Sequence, residues 1–272
     1  MTIQLAFTHH SLVPVRSTAS DSEEMVTQLL FGDLVEVLES HQQWRRIQIQ
    51  TDGYEGWVDH KMIELIPSDW PERIQEWKFV YDSACQVDCS FKGQLSKLSL
   101  TLGCSIPITY NNNGVSELAI NVGDFQAHFS LDHLYKYNKP LRESVIENSL
   151  RYLGAPYLWG GKSLWGIDCS GLTQMVYRLS EVPISLKRDA SQQVQQGREV
   201  QLRDALPGDL AFFKNPKGKV THVGIMLNEG KIIHASGRVR LDSLTEEGII
   251  HAENGELSHQ SAVIKQYINE DR

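Results

Sequence analysis

Short runs of alternating apolar and polar residues fill the first half of the chain. Leu34-Val35-Glu36-Val37-Leu38-Glu39 follows a Gly32-Asp33 turn, Trp44-Arg45-Arg46-Ile47-Gln48-Ile49 alternates again, and a glycine-punctuated turn leads into Gly56-Trp57-Val58. A period of two marks half-buried strands, and short strands at this spacing predict a small barrel over residues 1–66. Residues 69–77, polar and containing Pro71, predict a short linking helix. Strand-like runs return at 98–102 and 127–131, with a turn at 110–114 between them, and predict a second, more divergent barrel over 67–139. Asp59-His60 and Asp132-His133 stand near the ends of the two segments, as a duplication would leave them.

From about residue 140 the spacing changes. Val145, Ile146, Leu150 and Leu153 recur at helical intervals and predict a helix over 143–153, stopped by Gly154 and Pro156. Leu172, Met175, Val176 and Leu179 define the apolar face of a second helix that begins near Cys169. A short third helix is expected over 189–196, and strands over 209–213, 222–227, 231–236 and 262–268. Helices first and an antiparallel sheet afterwards is α+β order, which makes 140–272 a third domain.

Composition changes this picture only by exclusion. A chain of 272 residues, 41% hydrophobic and 22% charged, has ordinary globular proportions, and its net charge of −8 argues against nucleic acid or an anionic membrane as partner. The N-terminus shows no basic leader followed by an apolar stretch, and no segment has the length of a membrane span; a cytoplasmic location is expected. Cys85, Cys89 and Cys104 lack a neighbouring histidine and read as small buried hydrophobes rather than metal ligands. No metal or cofactor is expected.

Cys169 is different. It sits in Gly166-Ile167-Asp168-Cys169-Ser170-Gly171-Leu172, at the predicted start of a helix, where the positive end of the helix dipole favours thiolate over thiol. His222 and His234 lie on consecutive predicted strands joined by Asn228-Glu229-Gly230. With three loop residues Leu227 pairs with Lys231, and His234 then opposes Gly224, which shares a face with His222. The imidazoles become diagonal neighbours, about 7–8 Å apart at the backbone. A two-residue loop would put them on opposite faces. Gly230 suits the left-handed position of such a hairpin. A cysteine, an imidazole and a second polar group that orients it are the parts needed for acyl transfer through a covalent intermediate.

The combination of Pro156-Tyr157-Leu158-Trp159-Gly160-Gly161, Asp168-Cys169-Ser170-Gly171-Leu172, Pro207-Gly208-Asp209-Leu210, His222-Val223-Gly224-Ile225 and Ile233-His234-Ala235 resembles the NlpC-type family of papain-like cell-wall peptidases. The resemblance implies Cys169 as nucleophile, His222 as general base and acid, and His234 as the residue orienting His222. Val13-Pro14-Val15-Arg16, the Gly32-Asp33 turn, Trp44 and Gly56-Trp57-Val58 resemble a bacterial SH3-like domain. The whole is similar to the γ-D-glutamyl-L-diamino-acid endopeptidases of cell-wall peptide recycling, which pair the two.

That subgroup implies further roles. Asp168 and Ser170 would help hold the free amine of a murein peptide beginning with L-alanine; both residue types also cap helices well. Tyr54 and Glu24, with Glu23 as the alternative, would reach the same amine from the first domain; barrel packing and a solvated loop are the simpler explanations. Arg188-Asp189 matches a substrate-binding pair, and equally a surface ion pair leading into a helix. The expected reaction is thioester-mediated cleavage of the γ-D-glutamyl–diamino acid amide, with the Cys169 N–H stabilising the oxyanion. A broader peptidoglycan amidase or acyltransferase on the same core is the enzymatic alternative. A non-catalytic wall-peptide binding protein is the other, and the presence of Cys169 and His222 speaks against it.

Overall fold

The computed structural model describes residues 4–83, 85–110, 116–117, 119–129, 134, 139–260 and 262–268. The turn expected at 110–114 and the Asp132-His133 pair fall mostly or wholly outside these residues. The chain forms two compact units, Met1–Lys136 and Tyr137–Arg272, each described here by itself.

In the first unit seven antiparallel strands hydrogen-bond in the order Met25–Leu30, Leu12–Arg16, Glu55–Asp59, Trp44–Ile49, Leu34–His41, Gln4–Thr8 and Ile63–Ile66. The alternation in the sequence becomes the burial pattern. Val13, Val15, Val35, Ile47, Ile49 and Val58 point to one core, which Tyr54 and Val26 flank. Residues 69–77 hold only a single turn of tight helix, Pro71–Arg73, and then a strand, Glu76–Phe79, rather than the expected linking helix. Pro71 opens that turn, and the next residue, Ile74, is already extended. That strand joins Ser105–Tyr110 and Ser116–Glu117 in one small sheet; Gln94–Ser99, Gln86–Phe91, Phe125–His128 and Ala119–Val122 form another. Cys85, Cys89 and Cys104 are buried and free of disulfides.

The second unit is built around one helix. α1 (Leu141–Leu150) comes first, then α2 (Cys169–Leu179) and the short α3 (Ala190–Gln193). α2 starts at the residue the sequence pattern marks. Leu172, Met175, Val176 and Leu179 are fully buried, and only Arg178 of the whole helix is not. α1 corrects an expectation. It ends at Leu150, and Leu150 and Leu153 are 43% and 51% exposed. The buried side is small and polar instead, Ser144, Val145, Asn148 and Ser149, with Asn148 Nδ2 donating to Ser180 Oγ at 2.9 Å. Small side chains allow close helix contact, so this face carries no apolar periodicity to read.

Eight antiparallel strands follow in the order Arg198–Val200, Val263–Gln266, Leu210–Lys214, Val220–Met226, Lys231–Ser236, Arg238–Leu244, Gly248–Ile250 and Leu257–Gln260. The sheet curls: the ring of His259, on the last strand, stacks on that of His222 near the middle, with centroids 4.1 Å apart. The Pro207-Gly208-Asp209-Leu210 segment is a structural joint. Asp209, fully buried, accepts from Arg142 Nη1 at 2.9 Å and from the Leu206 N–H at 2.9 Å, tying α1 to the sheet.

Candidate active site

Asp168 caps α2. Its Oδ1 accepts the Gly171 N–H at 2.7 Å, which leaves Cys169 as the first helical residue. Gly171 is required there, because a Cβ would lie 2.3 Å from the Gly161 carbonyl oxygen. Arg188 approaches from the loop before α3 and is 2% exposed. It is therefore not a surface ion pair with its neighbour Asp189. Its Nη1 and Nη2 donate to Asp168 Oδ1 and Oδ2 at 3.0 and 2.6 Å, and Nη1 also reaches Ser170 Oγ at 2.9 Å. The Gly160 N–H donates to Oδ2 at 2.8 Å and Ser170 Oγ to Oδ1 at 3.3 Å. Five donors thus converge on one carboxylate, which first of all neutralises Arg188 and fixes the turn carrying the nucleophile. Asp189 is the half-buried N-cap residue of α3.

The other half of the site comes from the central strands. Gly224 pairs with His234 and Ile225 with Ile233, the register the three-residue loop predicts. Glu229 and Gly230 both take left-handed backbone conformations, with φ of 57° and 66°. His222 Nε2 and His234 Nδ1 share a hydrogen bond at 2.8 Å. The Cys169 sulfur accepts hydrogen bonds from the backbone N–H groups of Val223, the residue after His222, and of Ser170. Cys169, His222 and His234 are thereby brought together, with Asp168, Ser170 and Arg188 beside them.

The resting charge state differs from the sequence expectation. Burial, and next the Asp168 carboxylate, push the Cys169 thiol up to about 12, against the pull of the Val223 and Ser170 amides and of Arg188. The helix start does not outweigh the loss of solvent. Burial also drives His222 well below the usual imidazole value, aided by His259 and His234. Both shifts favour the uncharged forms, a thiol at Cys169 and a neutral imidazole at His222.

Three residues were not assigned roles from the sequence. Tyr157 lies within electrostatic reach of Cys169 and Asp168; burial first, then those two groups, raise its hydroxyl to about 12, so it stays a hydrogen-bond donor. Asp242, buried on Arg238–Leu244, accepts from His234 Nε2 at 2.9 Å. The hairpin argument applied to His234 would have found it: the turn at Gly237 sets His234 opposite Arg240 and Ile232 opposite Asp242, so His234 and Asp242 share a face. His259 carries no such signal, since Leu257-Ser258-His259-Gln260 shows no alternation.

Donor nitrogens of His222, His234 and His259 lie within 4.8 Å of one another. The ring planes of His222 and His259 are only 22° apart and stacked, so their in-plane lone pairs run side by side instead of converging on one ion. Within the cluster His222 and His234 share a hydrogen bond, while His259 stacks on His222 and its Nδ1 meets Ser258 Oγ.

Glu24 and Tyr54 belong to the first unit. Glu24 is exposed, and its carbonyl accepts the Ser17 N–H at 2.9 Å. Tyr54 is half-buried against the core, with its N–H on Asp52 Oδ1 at 2.9 Å. Glu23 is exposed, and its carbonyl accepts from Arg16 Nη1 at 3.0 Å.

A curled antiparallel sheet, a cysteine at the head of a buried helix and two coupled imidazoles define a papain-like cysteine peptidase. The NlpC/P60 family matches residues 154–256 and the bacterial dipeptidyl-peptidase SH3 domain matches residues 15–63. The chain belongs to the NlpC/P60 family, as a cysteine peptidase preceded by an SH3 domain. It is similar to the gamma-D-glutamyl-L-lysine dipeptidyl-peptidase of Bacillus subtilis, 29% identical over 218 residues, which span 77% of this chain and 71% of that one. It is also similar to dipeptidyl-peptidase 6 of Lysinibacillus sphaericus, 28% identical over 245 residues, 82% of this chain and 86% of that one. A probable endopeptidase of Haemophilus influenzae is 34% identical over 114 residues, 39% of this chain and 70% of that one. The crystal structure of an NlpC/P60 family protein from Bacillus cereus shares the fold, with a TM-score of 0.79, 20% identity, and coverage of 97% of this chain and 100% of that one. Among the described residues no helix is long and apolar enough to cross a membrane.

Proposed function

We propose that this enzyme hydrolyses the amide between γ-D-glutamate and a diamino acid in short cell-wall peptides that begin with free L-alanine. The observation that carries the reading is the contact of the Cys169 sulfur with the strand bearing His222, itself bonded to His234. Similarity to two proteins named gamma-D-glutamyl-L-lysine dipeptidyl-peptidase, over 71% and 68% of their lengths, supports the substrate class.

His222 takes the thiol proton as the Cys169 sulfur bonds to the γ-carbonyl carbon. The oxyanion so formed accepts from the Cys169 N–H and the Tyr157 hydroxyl. The imidazolium returns its proton to the amine of the diamino acid as the C–N bond breaks. Water, deprotonated by His222, then hydrolyses the thioester and the thiol is restored.

In this reading the ammonium of L-alanine is the group recognised, and Glu24 and Tyr54 keep the recognition roles that the resemblance implies for them. Ser170 adds its hydroxyl and Asp168 holds that hydroxyl in place, while Arg188 and Asp189 set the loop that closes the substrate site. The chain divides into an SH3-like barrel over 1–66, a divergent second barrel over 67–139 and the peptidase over 140–272. It works in the cytoplasm on recycled peptides. Acetylating the substrate's N-terminus removes one charge-assisted contact, roughly 1.5–3 kcal/mol, and is expected to lower kcat/KM at least ~10-fold. Equal cleavage of free and acetylated L-Ala-γ-D-Glu-diaminopimelate, followed by mass spectrometry, would overturn the N-terminal recognition.

A further inference from the structure

Asp242 sits beyond the two histidines and closes a chain of hydrogen bonds that ends on the catalytic base. Its Oδ2 accepts from His234 Nε2 and from Arg240 Nε, both at 2.9 Å, and its Oδ1 accepts the Ala252 N–H at 2.9 Å. Both oxygens face donors only. An ionised carboxylate donates nothing, so the proton of the first bond must lie on His234 Nε2.

The rest follows by elimination. Burial holds His234 down to about 4, although its bond to Asp242 pulls the other way, so the ring is neutral at pH 7 and carries one proton. With that proton on Nε2, His234 Nδ1 is bare and accepts. The 2.8 Å bond to His222 is then donated by His222 Nε2–H. His222, also neutral, is left with its lone pair on Nδ1. Asp242 itself stays ionised: burial raises it, but the Ala252 amide and the bonds from His234 and Arg240 bring it down to about 2.

We propose that Asp242 is a positioning residue that sets the tautomers of both histidines, so that His222 presents a bare Nδ1 as the base for Cys169. This rests on the reading of His222 as that base. Asp242 touches no reacting atom and acts through His234 alone. Arg240 keeps the carboxylate charged and turned toward His234; its Nη1 is anchored on the Ser236 carbonyl. Without the carboxylate, His234 is free to carry its proton on Nδ1 and donate to His222 Nε2. His222 then holds its own proton on Nδ1 and has no lone pair to offer. In serine peptidases the corresponding wrong-tautomer substitution costs about 10⁴ in kcat.

The experiment combines two readouts that need no substrate with one that does. Imidazole ¹⁵N spectra of the wild-type protein at pH 7 are expected to show His222 and His234 both protonated at Nε2. Finding His222 protonated at Nδ1 would overturn the proposal without any variant. In Asp242→Leu and Asp242→Asn, checked for folding by circular dichroism, the spectra should shift toward Nδ1-protonated forms. Alkylation of Cys169 by iodoacetamide at pH 7.5 should slow at least ~10-fold, and kcat should fall ~100-fold with KM within ~3-fold. Unchanged spectra and alkylation in a folded variant would refute the role. If the wild-type protein fails to cleave the proposed peptide while the spectra and alkylation behave as expected, the substrate assignment fails and the role of Asp242 stands.

Discussion

Asp168 and Asp242 are both buried, both pair with an arginine and both accept a backbone N–H, yet the structure uses them differently. Asp168 takes both arms of Arg188, two backbone N–H groups and the Ser170 hydroxyl, which itself accepts from Arg188; none of these donors has a second titrating nitrogen. Asp242 Oδ2 accepts one bond from Arg240 Nε and a second from an imidazole. The first arrangement has no proton to move and acts as an anchor. The second keeps its charge and biases a ring with two alternative proton positions. One imidazole in the donor set separates a structural ion pair from a relay.

The contrast predicts where each side should fail. On the relay side, Cys169→Ala and His222→Ala should lose turnover by at least ~10⁴-fold while leaving the far-ultraviolet spectrum unchanged, because these groups make and break bonds. Retained hydrolysis in either would remove the covalent mechanism.

On the anchor side the first casualty should be stability. Arg188→Met leaves Asp168 charged, buried and without its cation, a loss of about 3–5 kcal/mol in chemical denaturation. The double variant Asp168→Asn/Arg188→Met should recover part of it, since the amide oxygen still caps α2 and no buried charge is stranded. A single variant as stable as the parent would show the pair to be dispensable.

Acid should act through the relay. Burial lowers His234 from 6.5 to about 4, so the unfolded chain binds its proton first as pH falls. The contribution of the neutral ring is complete above pH 6.5 and is lost as pH drops toward 4. Asp242, held from 3.8 down to about 2 despite burial, extends the loss below pH 4 with the same sign. His222 and His259 beside it are also lowered by burial, and His9 of the first unit is lowered to about 4 by burial and by His10, so His234→Gln should flatten, not abolish, the fall in stability between pH 6.5 and 4. A profile identical to the parent's would mean that His234 does not contribute to it.

The sequence was most legible where side-chain periodicity and backbone geometry agree. Cys169 at a helix start follows from Asp168 and the 172/175/176/179 stripe, and the His222–His234 contact follows from loop parity. In α1 only Val145 of the apolar positions is buried, and the rest of the packed face is Ser144, Asn148 and Ser149, which carry no apolar signal. The thiol's charge state is not legible, because the dipole of a helix start is visible in sequence and the depth of its burial is not. Asp242 is legible by the same parity, one hairpin further along the chain. His259 was not legible: it reaches His222 only because the sheet curls.

Gly224 offers the finest test of the relay, since it touches no reacting group. It lies opposite His234, and a Cβ there would stand 2.7 Å from Ile232 Cδ1 and 3.0 Å from His234 Cβ. Ile232 Cγ1 lies almost as near, at 2.8 Å, in a fully buried side chain, and His234 Cβ is fixed to the same central strand, so the added methyl must shift that strand and the ring by a few tenths of an ångström. Such a shift lengthens either the bond to His222 or the bond to Asp242, because the ring is held at both nitrogens. Gly224→Ala is therefore expected to lower kcat by about 3–10-fold with KM unchanged, and to cost no more than about 1–2 kcal/mol of stability. The anchor side should not register it: the Asp168–Arg188 ion pair touches neither Gly224 nor His234, and the loss caused by Arg188→Met should be the same in both backgrounds. If kcat were unaffected while the stability loss appeared in full, the relay would tolerate displacement, and the tight geometry between His222, His234 and Asp242 would be a matter of packing alone.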